Sequence, residues 1–234
     1  MDRFFRIPFR EFSEASQPIA KLMDEINSKA SDALRDRNIQ ARNNALQCAS
    51  IVLVSGFVES NLKANAEAFF KRLAMRGRTF ADVPSEFVDR HYVDGARVLL
   101  SKAMVDRKAK LGFSQTEDIV RRLVAPLMDA SKLPIWEAFA ATEGNPGPRV
   151  LKDYLRNFEI KDPLRALSGA INGHYSDAII ESKLQSFIDI RNECAHTGSA
   201  KNVPLPSDVR DYILFLRHLT LGIGRLLNTR AGSV

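Results

Sequence analysis

The sequence predicts an all-α fold. Apolar residues recur at three- and four-residue spacing along most of the chain, the signature of amphipathic helices. No sustained apolar/polar alternation occurs, and no hairpin turn of the Asn-Gly or Asp-Gly kind joins two strand-like runs. With 45% apolar and 26% charged residues among 234, the chain holds enough apolar material for a core of its own. We expect a single helical domain over residues 1–234. Its parts are an arm at 1–12, a helical elaboration at about 79–175, and a penultimate and a closing helix over 177–228.

Residues 1–12, with Phe4, Phe5, Ile7 and Phe9, read as an extended arm. Residues 14–36 form the first helix, with Ile19, Leu22, Met23, Ile26, Ala30 and Leu34 on one stripe. Residues 38–76 read as one long helix. It is apolar nearly all round from Ala45 to Val58, so that part is expected to be buried on most sides. At 1.5 Å per residue it approaches about 55 Å, so either it breaks near Ser55-Gly56 or one end reaches beyond the core. Arg76-Gly77-Arg78 ends it, and Pro84-Ser85 opens another helix to about Lys108. Ser114-x-x-Glu117 is a capping-box pattern for a helix through Leu127, which Pro126 should kink or end. Trp136 and Phe139 sit on a short helix before the loop T-E-G-N-P-G-P. Pro148 fits the first turn of a helix to about Phe158, and a weaker helix runs from Pro163 until Asn172-Gly173 breaks it. Residues 177–196 form the penultimate helix, and Ser207 is the expected cap of the last, 207–228.

The formal net charge of +6 and a sequence pI of about 9.4 favour polyanions without specifying one. Lys71-Arg72, Arg76-x-Arg78, Arg107-Lys108-x-Lys110 and Arg121-Arg122 are candidate phosphate contacts, although each run alone also reads as a solvated helix face. Phe69-Phe70 and Trp136 are expected to pack in the core rather than stack on bases. Cys48 and Cys194 lack zinc spacing and read as free buried thiols. The basic, aromatic N-terminus is followed by no apolar signal region, and no run of about 18 apolar residues occurs, so we expect no membrane span and a soluble, cytoplasmic protein. No Walker loop, G-x-G-x-x-G, H-E-x-x-H or G-x-S-x-G occurs, and the carboxylates are scattered. We therefore expect neither a cofactor nor a metal.

One stretch concentrates chemistry: R-N-E-C-A-H, Arg191 to His196, followed by Thr197 and Gly198. Arg carries a permanent charge on a planar fork suited to phosphate. Imidazole suits proton transfer near neutral pH. Five residues apart on an ideal helix, the two stand roughly 140° apart around the axis. Gly198 is placed to end the helix, so His196 falls on its last turn, where the helix dipole favours positive charge. The alternative is structural: Arg191 pairs with Glu193 or Asp189 while His196 caps the last carbonyls. His91, His174 and His218 read as structural or surface residues, with His174 the most exposed of them.

An all-α chain with Arg-Asn-x-x-Ala-His on its penultimate helix, then a glycine and a closing helix, resembles the HEPN superfamily of helical ribonucleases and toxins. The segment N-P-G-P-R-V-L-K-D-Y-L-R-N-F-E-I, Asn145 to Ile160, resembles a stretch upstream of that motif in the RiboL-PSP branch. V-S-G-F-V-E-S-N-L-K fits the early core helix of the same branch. The resemblance spans about residues 14–228. It implies a metal-independent endoribonuclease, working as a homodimer whose two motifs share one cleft. By position, Arg191 and His196 match the catalytic pair and Asn192 the polar residue after the Arg. Cys194 departs from the branched apolar residue common there. Members are often toxins or antiviral defence effectors, held by an antitoxin or sensor partner. The expected partner molecules are thus RNA and a second copy of the chain. The rival reading is a non-catalytic helical module that binds RNA or protein, or dimerises.

Overall fold

A computed structural model describes residues 1–109, 114–140, 145–197 and 202–234, without the side chains at 32, 33, 114 and 197. Helix α1 spans Arg3–Ser28, α2 Ala30–Ala33, α3 Arg37–Met75, α4 Ser85–Ala109 and α5 Ser114–Met128. They are followed by α6 Glu137–Ala140, α7 Pro148–Arg156, α8 Pro163–Ala170, α9 Asp177–Thr197 and α10 Pro206–Ser233. No strand occurs among the described residues, so the fold is all-α as expected.

The extended arm is corrected. Residues 3–12 belong to α1, because Phe5, Pro8, Phe12, Ser16, Ile19, Met23 and Ile26 continue one buried face at helical spacing. Pro8 removes one helical hydrogen bond, and Asn61 Nδ2 of α3 donates to its carbonyl at 2.8 Å. The first helix also ends earlier than the reading of 14–36. It closes at Ser28, and Asp36 caps α3 by accepting from the amides of Asn38 and Ile39.

α3 runs unbroken past Ser55-Gly56 and packs against α1, α9 and α10. By length and composition alone it is long and apolar enough to cross a bilayer, which counting uninterrupted apolar residues had not suggested. Half of its most apolar window lies inside the fold, as the core helix of a bundle requires. Burial on most sides is not complete: Ala45, Ala49 and Leu53 form an exposed stripe, with Leu53 54% exposed. Gly77, at φ +69°, ends the helix as expected, with its amide on the Ala74 carbonyl and that of Arg78 on the Leu73 carbonyl.

The elaboration stands on an aromatic cluster in which Phe69 and Phe70 of α3 meet Phe87, Phe139 and Phe158. α4 and α5 approach closely at Gly95, where a Cβ would lie 2.6 Å from Leu123 Cδ1. The side chain of Ser114 is outside the described residues. Thr116 instead ties the start of α5 to α4, its amide and hydroxyl both donating to the buried Asp106 at 2.9 Å. Pro126 is carried inside the last turn of α5. α10 begins at Pro206 rather than at Ser207. Its N-cap is Leu205, whose amide donates to the carboxylate of Asp208 in the first turn at 2.9 Å.

Candidate functional site

The site is assembled by α9 and the loop before α7. Ile180, Leu184, Phe187 and Ile188 bury one side of α9. The helix continues through Thr197, and the expected stop at Gly198 lies outside the described residues. Arg191 and His196 therefore keep their separation of roughly 140° around the axis and about 7.5 Å along it.

Arg191 is half-buried and borders a cleft of about 900 Å³ between α3, α4, α6 and α7. Among the described residues it makes no ion pair, and its Nε is buried without a partner. Asp189 accepts from Gln185 at 2.8 Å instead. Asn192 Oδ1 accepts from Asn145 Nδ2 at 2.8 Å and, more weakly, from Arg191 Nη1 at 3.4 Å. The loop passes close to α9 at Gly147, where a Cβ would stand in ordinary van der Waals contact, 3.5 Å from Ile188. His196 is exposed on the last turn and does not line the cleft. One chain thus brings Arg191, Asn192 and Asn145 together and leaves His196 on another side of α9. Asn145 was not singled out from the sequence, although it opens the segment that carries the resemblance.

Cys48 and Cys194 meet between α3 and α9, with Val52, Ile190 and Val203 around them. Both are free and buried, as expected. Burial, and then the neighbouring Cys48 thiol, push the Cys194 thiol up to about 12. It stays protonated and fills space beside the motif.

Some cations of the basic runs are structural, while Arg107, Lys108 and Arg121 are exposed. Arg72 binds Asn228, Arg76 donates to the Ala231 carbonyl at 2.6 Å, and Arg122 holds Glu137 through two nitrogens. Lys110 lies outside the described residues. The cations on the cleft are different ones. Lys63, Lys102 and Arg149, like Arg191, make no ion pair among the described residues. Of the carboxylates there, Asp94 is held by Arg90 and Arg97, Glu137 by Arg122 and Asp153 by Arg156. Among the described residues Glu59 is the one cleft carboxylate without such a partner, and the cleft's described lining is net positive. Trp136, expected in the core, is half-buried and lines this cleft. Among the described residues no three His, Cys, Asp or Glu side chains group as a metal site would need.

A family model described as RiboL-PSP-HEPN matches residues 11–228. No significant match emerged among curated proteins or solved structures. The family match covers nearly the whole chain and includes α9 with its Arg-Asn-x-x-Ala-His run, so this protein belongs to the RiboL-PSP-HEPN family.

Proposed function

We propose that the protein is a metal-independent endoribonuclease, acting through Arg191 and His196 in a cleft shared by two copies of the chain. The observation that carries this is the state of Arg191: a half-buried cation lining a positive cleft, with no ion pair to a carboxylate among the described residues. A structural Arg would be saturated; this one is free to take a phosphate oxygen. Asn192, held by Asn145, stands beside it to orient the phosphate or the attacking hydroxyl.

In the proposed reaction the 2′-oxygen of the substrate attacks the adjacent phosphorus, forming P–O2′ and breaking P–O5′. One neutral His196 takes the 2′-hydroxyl proton, and a protonated one gives a proton to the leaving 5′-oxygen. Arg191 neutralises charge on the phosphorane oxygens. The products are a 2′,3′-cyclic phosphate and a 5′-hydroxyl.

Both roles for His196 need two copies, and a single α9 separates His196 from Arg191. A two-fold axis beside residues 191–196 supplies both. The exposed stripe Ala45, Ala49 and Leu53 lies on α3 next to Val52, which packs on the Cys194 side of α9, and it offers an apolar surface for the second copy. Such an activity in a cell requires restraint, in keeping with a toxin or defence effector controlled by an antitoxin or sensor.

The test is cleavage of RNA in EDTA with analysis of the product ends. His196→Ala should lower the rate roughly a hundredfold or more. Cleavage lost in chelator and restored by magnesium, or an unchanged rate in His196→Ala, overturns the proposal.

A further inference from the structure

The cleft runs away from the motif. Arg191 marks one border, and the rest is walled by the elaboration, with Lys102 from α4, Trp136 before α6 and Arg149 from α7 opposite Lys63 of α3. At about 900 Å³ it lies near the top of the range for drug-sized ligands. It therefore exceeds what one phosphate at Arg191 requires. Its free cations have no ion-pair partner among the described residues, and of its aromatic lining residues Tyr154 is buried while Trp136 is only half-buried.

We propose that this groove holds an unpaired RNA segment beside the scissile phosphate, with phosphates on Lys63, Lys102 and Arg149 and one base stacked on Trp136. The assignment rests on the reading of Arg191 as the contact to the scissile phosphate. Interleaved cations and an aromatic face are what a single strand needs: the cations follow the backbone, and a π-face accepts any base. A base paired in a duplex is stacked on its neighbours and offers no free face, so the groove selects single strands. The elaboration is then the part of the molecule that chooses substrate, while α9 supplies the chemistry.

Trp136 is the single tryptophan of the chain, so its fluorescence reports this groove alone. The experiment titrates His196→Ala protein, which leaves the groove intact, with a single-stranded RNA of about ten nucleotides, the matching duplex, or AMP. Anisotropy of the labelled RNA is read in parallel. We expect saturable quenching by the single strand with the same affinity as anisotropy, and weak quenching by the duplex and AMP. Lys102→Ala and Arg149→Ala should each lower the slope of log affinity against log salt by roughly 0.7. Trp136→Leu should weaken binding about five- to hundredfold, with Trp136→Phe retaining most of it. RNA binding without quenching places the strand elsewhere and overturns the proposal, as does AMP matching the single strand. Cleavage at the wild-type rate by the Lys102→Ala, Arg149→Ala double variant overturns the groove and leaves the nuclease standing. Quenching as described in a protein that never cuts RNA does the reverse.

Discussion

Arg191 is held in place by little more than the helix that carries it. Its 3.4 Å contact with Asn192 is weak, and the burial of α9 is the work of Phe187, Ile188 and Leu184. Arg191→Lys keeps the charge and loses the two-pronged phosphate contact. Single-turnover cleavage should fall steeply while the melting temperature changes little, since among the described residues Arg191 makes no ion pair for the substitution to break. Asn145 acts through Asn192. Asn145→Ala removes one hydrogen bond and should slow cleavage about fivefold, the equivalent of about 1 kcal/mol. Rescue by Asn145→Gln, and an unaltered melt, would separate positioning from folding. The motif itself was legible in the sequence, because Arg, Asn and His are adjacent there. Asn145 and Lys63 were not: they join the site only through the packing of a loop and of α3, which no local spacing encodes. Trp136 packs against the core as expected, and its second place, on the cleft, was hidden because a lone Trp beside a short helix fits core and groove equally well.

At the level of elements, His91 shows how the elaboration is fastened. It is buried in α4, its Nε2 donating to the Leu123 carbonyl at 2.8 Å and its Nδ1 accepting the Ile135 amide at 3.0 Å. Burial lowers its pKa, so the folded protein keeps it neutral, while in the unfolded chain it titrates near 6.5. Its contribution to stability is therefore complete above pH 6.5 and is lost as the pH falls through the lower folded value. Thermal melts from pH 7.5 down to 5 should show a falling melting temperature in wild type and a flatter profile in His91→Gln. Equal slopes would contradict this. α10 and α8 meet at Gly222, where a Cβ would stand 2.5 Å from Ile171 and 2.7 Å from Leu167. Gly222→Ala should cost about 1–3 kcal/mol in a denaturant titration, the usual scale of overpacking. Helix positions followed from apolar spacing and from Pro and Gly punctuation, and the boundaries of α3, α4 and α9 were predicted within a residue or two. The start of α1 was hidden by Pro8, whose carbonyl is taken by Asn61, a residue more than fifty positions away. The tie between α4 and the start of α5 was hidden in the same way, since Asp106 reaches Thr116 from another helix.

The whole molecule is a helical bundle in which a positive cleft and an exposed apolar stripe on α3 both lie beside α9. Neither completes a function in a single copy: the stripe is uncovered, and Arg191 and His196 face different ways. A homodimer answers both, and light scattering at micromolar concentration should give twice the 26.2 kDa chain mass. Replacing Leu53 with Glu should shift the mass toward the monomer and lower cleavage together. The most direct measurement mixes two inactive proteins, His196→Ala and Arg191→Ala, unfolds and refolds them together, and assays RNA cleavage in EDTA. Mixed dimers keep one Arg191 and one His196 at the shared cleft, so activity should rise above either parent and stay below wild type, because one of the two His196 roles is left unfilled. A mixture no more active than its parents, although mixed dimers are present by mass, would contradict the account, and so would full activity in a protein that is monomeric.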